Sequence, residues 1–162
     1  MSKFNNLAQS SNFEFGCPEL DFSTKYVTQC NIPGLQLSHF ETGSRRGAKI
    51  HIQGDTVTYN DLSITYLMDE EFDLFFEFYD KFMSNFNPED GTFSLGDFSC
   101  YVQVNDNQGD PIFRVDYYNC KLVSYDDITL DSQNDQEFFT FNVNYSYDYY
   151  KITRLKHKVS KW

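Results

Sequence analysis

With 162 residues and a formal net charge of −11, the chain is long enough for one domain with a buried core. It is also too acidic for an ordinary nucleic-acid binder, which sets clustered Lys and Arg against phosphates. Hydrophobic residues make up 40% and aromatics 19%, which excludes a disordered chain, and the wealth of Phe and Tyr favours pleated structure.

The predicted elements run as follows. Asn12 to Phe15 places Phe13 and Phe15 on one face of a short strand. Tyr26 to Cys30 is a second extended run, broken by Pro33-Gly34. Residues 38–47 read as a loop carrying Arg45 and Arg46, and Lys49 to Ile52 resumes as a strand before a turn at Gly54-Asp55. From Asp61 to Met68 the pattern alternates, with Leu62, Ile64, Tyr66 and Met68 on one face. At Asp69 the period changes to 3.6, which predicts a helix over 69–84. Asp69 would be its N-cap, Glu70, Glu71 and Asp73 would oppose the helix dipole, and Phe72, Phe75, Phe76, Tyr79, Phe82 and Met83 would form its apolar stripe. Pro88 lies in the stretch that ends it. Residues 98–118 predict a hairpin turning at Asn105 to Pro111. The last strand puts Phe139, Phe141, Val143, Tyr145, Tyr147 and Tyr149 on one face and Thr140, Asn142, Asn144, Ser146 and Asp148 on the other. The expected fold is mainly β, an antiparallel sandwich or barrel with one α-helix. One domain spans 1–150, and a basic extension, 151–162, holds five of the 13 Lys and Arg residues and no acid.

Little in the sequence points to chemistry. His39, His51 and His157 have no metal-ligand spacing, and there is no phosphate loop or GxSxG. Asp106 to Asp110 and Asp131 to Asp135 gather oxygen ligands without the glycine and glutamate of a calcium loop, so they read as turns. Asp69-Glu70-Glu71 is explained by a helix start. Met1 to Asn12 lacks the apolar segment of a secretory signal and no run is long enough to span a bilayer, so Cys17, Cys30, Cys100 and Cys120 are expected as reduced thiols. No catalytic residue, cofactor or metal is expected, and the chain does not read as an enzyme.

Two stretches carry a resemblance. One is Tyr26-Val-Thr-Gln-Cys-Asn-Ile-Pro-Gly34 followed by Lys49-Ile-His-Ile-Gln-Gly-Asp-Thr-Val-Thr-Tyr-Asn-Asp-Leu-Ser-Ile-Thr-Tyr-Leu-Met-Asp-Glu70. The other runs from Tyr125-Asp-Asp-Ile-Thr-Leu130 through Phe139-Thr-Phe-Asn-Val-Asn-Tyr-Ser-Tyr-Asp-Tyr149. Their order resembles the tail-tube proteins of contractile-tailed bacteriophages. The resemblance implies a structural virion subunit in the phage tail, assembled in the host cytoplasm. Self-assembled rings, hexameric by the same implication, would stack into a tube inside a contractile sheath, with sheath and baseplate proteins as partners. One sheet per subunit would join an inner barrel through which DNA passes without tight binding, and no membrane is involved. A baseplate tube-initiator or tail-terminator of the same fold remains open. So does a ligand-binding β-sandwich using Tyr147, Tyr149 and Tyr150 as a platform.

In that setting three groups of residues are expected at interfaces. Leu74 and Phe78 lie off the helix stripe and would be covered by a ring neighbour, unless the apolar face is simply wide. Arg45 and Arg46 would pair with carboxylates of the adjacent ring. The tail would form a helical stripe of Ile152, Leu155, Val159 and Trp162, with Arg154, Lys156 and Lys158 meeting an acidic surface outside the tube.

Overall fold

Alternating apolar and polar side chains become strands wherever one face is buried, and a computed structural model shows where each lies. It describes residues 11–43, 47–93, 96–133 and 138–155. The elements in chain order are β1 (Phe13–Gly16), a 3-10 turn (Asp21–Thr24), β2 (Val27–Cys30), β3 (Leu35–Gly43), β4 (Lys49–Tyr59), β5 (Leu62–Leu67), α1 (Asp73–Ser84), β6 (Phe86–Asn87), β7 (Thr92–Phe93), β8 (Phe98–Asn105), β9 (Pro111–Tyr125), β10 (Thr140–Ser146) and β11 (Tyr149–Arg154). The fold is mainly β and antiparallel, with one α-helix among the described residues, as the sequence predicts.

The main sheet runs β1-β8-β9-β10-β5-β2, and β11 also pairs with β9. Strand β9 belongs to two layers. Its first part, through Tyr118, lies between β8 and β11, and its last part, 121–125, pairs with β10. Between them Asn119 takes a left-handed φ of 54°, a conformation Asn tolerates better than most residues, and its amide donates to Asp148 Oδ2 at 2.8 Å. The strand turns there and the two layers close on one core. Cys100, Val102, Val115 and Tyr117 come from the first layer, and Leu62, Ile64, Tyr66, Phe141, Val143 and Tyr145 from the second. Phe15 and Phe98 each stand 6.0 Å, ring to ring, from Tyr145 across the interior. Helix α1 closes one end, where Phe78 packs on Tyr66, Phe141 and Phe22. No described helix is long and apolar enough to cross a membrane.

Four local expectations need correction. The helix starts at Asp73, not Asp69: Phe72 sits at φ 57°, so the chain turns before the helix begins. The N-cap is therefore Phe72 and not Asp69, although Asp69 Oδ1 accepts the Asp73 N–H at 3.0 Å. The loop expected over 38–47 is mostly strand, because β3 runs to Gly43 and pairs with β4 from Leu35↔Tyr59 to Gly43↔Lys49. Gly54 is not in a turn. It lies at a bulge where any Cβ would strike Ser38, whose hydroxyl accepts the Thr56 N–H at 3.2 Å. The long final strand ends at Ser146, and after a corner at Tyr147-Asp148 the chain returns as β11. The Asp106 to Asp110 stretch is the turn predicted for it: Asp106 Oδ1 accepts the N–H groups of Gln108 and Asp110, each at 2.9 Å.

Candidate assembly interface

Burial decides which expected interface residues are available. Leu74 is 3% exposed and Phe78 is fully buried, so both belong to the subunit's own core and cannot be the ring contact expected of them. The apolar arc of α1 is wide, and the core takes its Leu74–Phe78 side. The opposite end of the arc, Phe76, Tyr79 and Met83, stays exposed at 55%, 42% and 47%. These three were read as core-facing, so the helix is turned from its expected orientation.

The hairpin β3–β4 forms its own two-stranded sheet, apart from the main one. Leu35, Leu37, Phe40, Ile50, Ile52 and Val57 along it are all exposed. A free two-stranded hairpin is marginal in water, and contiguous exposed apolar side chains mark a contact surface. Its base is fixed by the tyrosines proposed as a ligand platform. Tyr147 donates its hydroxyl to the Asn60 carbonyl at 2.6 Å, Tyr150 donates to the Pro33 carbonyl at 3.1 Å, and both rings pack on Tyr59. Tyr149 stacks instead on Tyr118, 4.8 Å away. The three therefore do not make one platform. Arg45 and Arg46, between β3 and β4, lie outside the described residues.

The second layer has a buried face and a polar one. On the polar face the Thr65 hydroxyl donates to Asn142 at 2.5 Å, Asn142 donates to Asp126 at 3.1 Å, and Asn144 donates to Ser124 at 3.1 Å. At its margin Asn31 accepts the Ser63 N–H at 2.7 Å. This ladder is nearly free of charge in a strongly acidic chain. Among the described residues, both borders of this layer have an unpaired edge: β2 pairs only with β5, and segment 121–125 of β9 only with β10.

The C-terminal region departs from expectation. Ile152 and Arg154 are part of β11, paired with Val115 and Phe113, and the Leu155 N–H donates to the Ile112 carbonyl at 2.8 Å. A helical stripe through Ile152 and Leu155 is therefore excluded, although both are exposed, at 59% and 45%. The boundary expected after residue 150 falls inside this strand. Lys156, Lys158 and Trp162 lie outside the described residues.

Burial shifts the ionisation of core thiols and phenols among the described residues. Burial pushes the Cys17 thiol up to about 11 and the Cys30 thiol up to about 12, and it raises Tyr66, Tyr117 and Tyr145. Cys100 donates its S–H to Cys120 at 3.0 Å, which with burial holds Cys100 protonated. One grouping escaped sequence reasoning: strand register gathers His39, Glu41 and His51 on the hairpin, their donor atoms all within 4.8 Å of one another.

No protein-family model and no curated protein matches the sequence. The fold, however, is shared with parts of contractile injection systems. The tube-terminating cap of the anti-feeding prophage superposes with a TM-score of 0.69 at 8% identity, covering 95% of each chain. A chain of the anti-feeding prophage baseplate gives 0.65 at 14% identity, covering 95% of this chain and 100% of the other. A chain of the PVC sheath–tube complex, from an extracellular contractile injection system, gives 0.63 at 8% identity, covering 92% and 93%.

Proposed function

We propose that the chain is a structural subunit of the inner tube of a contractile, phage-tail-type particle. It assembles into rings, hexameric in the simplest case, that stack within a sheath and on a baseplate. The observation that carries this reading is the second layer, with its apolar face buried, its polar face nearly uncharged and, among the described residues, an unpaired edge at each border. Edges of this kind invite pairing with another chain. Joining β2 of one copy to segment 121–125 of β9 in the next removes both and extends the polar face around a closed channel. A wall of Ser, Thr and Asn has little to hold phosphates, and its bordering Lys121 already faces Asp97 at 3.6 Å. That chemistry suits a conduit for DNA, which slows wherever cations contact its backbone.

In this reading the role is structural and not catalytic. The hairpin β3–β4 and the segment joining its strands, which carries Arg45 and Arg46 in the sequence, reach the adjacent ring, while the outer face of α1 and the basic C-terminal segment meet neighbouring subunits or the sheath. The fit to a tube-terminating cap supports a second reading, a terminator that closes the tube instead of extending it. Negative-stain microscopy of the purified chain separates these. Tubes are expected of a main tube subunit and single rings of a terminator, while a monomer at every concentration would sink both. Charge reversal of Arg45 and Arg46 to Glu is expected to leave rings intact and shorten or abolish tubes. Tubes of normal length from that variant would remove the arginines from the contact.

A further inference from the structure

Strand pairing on the hairpin brings together side chains that sequence spacing separates. Glu41 of β3 lies directly opposite His51 of β4. His39 is two residues before Glu41 on the same strand face, diagonal to His51 across the ladder, and the two imidazole rings are 5.7 Å apart. Directly opposed and diagonal neighbours are the positions from which side chains on two strands can reach a common point. One nitrogen from each histidine and one carboxylate oxygen from Glu41 already lie within 4.8 Å of one another. Glu41 Oε2 accepts a hydrogen bond from Lys49 Nζ at 2.9 Å, which leaves Oε1 facing His51 Nδ1 at 4.0 Å.

We propose that His39, Glu41 and His51 form a binding site for a divalent transition-metal cation of the zinc class. Two imidazoles and a carboxylate suit zinc, cobalt or nickel, whereas magnesium and calcium take oxygen ligands. Ligand bonds of about 2.0–2.2 Å in a tetrahedron put donor atoms about 3.3 Å apart. The three donors are wider than that by at most about 1.5 Å, within reach of rotations about the side-chain bonds of exposed residues. The Lys49 ammonium moves aside, since a bound cation replaces its charge at the carboxylate. A fourth position stays open to water. The site staples β3 to β4, which form a two-stranded sheet of their own, and fixes their register. It stands whether or not rings form.

The test uses the full chain. Cobalt titration followed by visible absorption, and zinc titration by calorimetry, should each show one equivalent bound with a dissociation constant on the order of micromolar. His39→Ala and His51→Ala should each weaken binding at least tenfold, and Glu41→Gln by less, with unchanged circular dichroism. On the unsubstituted chain, zinc should slow amide exchange within 39–41 and 51–53 and leave the core sheet unaffected. Binding that survives the double histidine variant would overturn the site. So would a thiolate-to-cobalt charge-transfer band, which places the metal on cysteine, or hairpin exchange that ignores zinc.

Discussion

Tyr66 and Tyr145 meet hydroxyl to hydroxyl at 2.8 Å, in a core where both side chains are fully buried. Tyr117 is just as buried, yet its hydroxyl has no hydrogen-bond partner among the described residues. The asymmetry of hydrogen-bond energetics makes these tyrosines respond in opposite ways. Tyr66→Phe or Tyr145→Phe strands the other hydroxyl and should cost about 1–3 kcal/mol. The double variant should cost less than the sum, because it strands neither. Tyr117→Phe removes a group that already lacks a partner and should be neutral or stabilising. Urea unfolding of the four variants checks this; a Tyr117→Phe loss as large as the others would mean that its hydroxyl is in fact satisfied.

Helix α1 shows where sequence reasoning failed at the scale of elements. Its apolar residues cover an arc too wide for the 3.6-residue period to choose a face, so the left-handed Phe72 and the packing of Phe78 on Tyr66 and Phe141 decide its rotation. Leu74→Ala should therefore cost about 2–5 kcal/mol as a core truncation. Phe76→Ser with Tyr79→Ser should shift monomer stability by about 0.5 kcal/mol or less and weaken assembly, read by thermal melting and sedimentation velocity. A large loss of monomer stability would return these two residues to the core. Strands β5, β8, β9 and β10 were legible because each buries alternate residues such as Ile64, Val102, Val115 and Val143. Of the hairpin β3–β4 only the start of β4, Lys49 to Ile52, was legible, because most of its side chains stay outside the core and Gly43 and Gly47 favour a loop reading between the strands. The grouping of His39 with His51 was hidden for another reason: register, not spacing, creates it. At the other end of the chain, the extension read as a separate tail contributes a strand. Deleting 156–162 should leave the melting temperature nearly unchanged. Deleting 151–162 also removes residues that pair with Asp116, Val115, Arg114 and Phe113, and should lower it clearly. Equal melting temperatures would make β11 dispensable.

For the whole molecule, burial holds several core thiols and phenols protonated, while Cys120, which accepts the Cys100 S–H, is shifted the other way. Free cysteine titrates near 9.0, but burial holds Cys17 to about 11 and Cys30 to about 12, and Tyr66, Tyr117 and Tyr145 are raised as well. The folded state thus keeps protons that the unfolded chain releases. For the two thiols this stability is complete below pH 9 and is lost as pH rises through about 11 for Cys17 and about 12 for Cys30, and for the tyrosines the loss begins only above pH 10, at about 1.4 kcal/mol per pH unit for each group while it titrates. Denaturant midpoints should be level up to about pH 8 and fall steeply above 9. A level midpoint at pH 11 would show that these groups are not sequestered. Strand β9 has a mechanical consequence. It is hydrogen-bonded to β8 and β11 in one layer and to β10 in the other, so a single covalent backbone crosses between layers at Asn119. Tension on either layer passes along peptide bonds into the other and does not rely on side chains sliding in the core. A subunit built this way yields as one body under load, which is what the proposed place in a rod driven forward by a contracting sleeve would require of it.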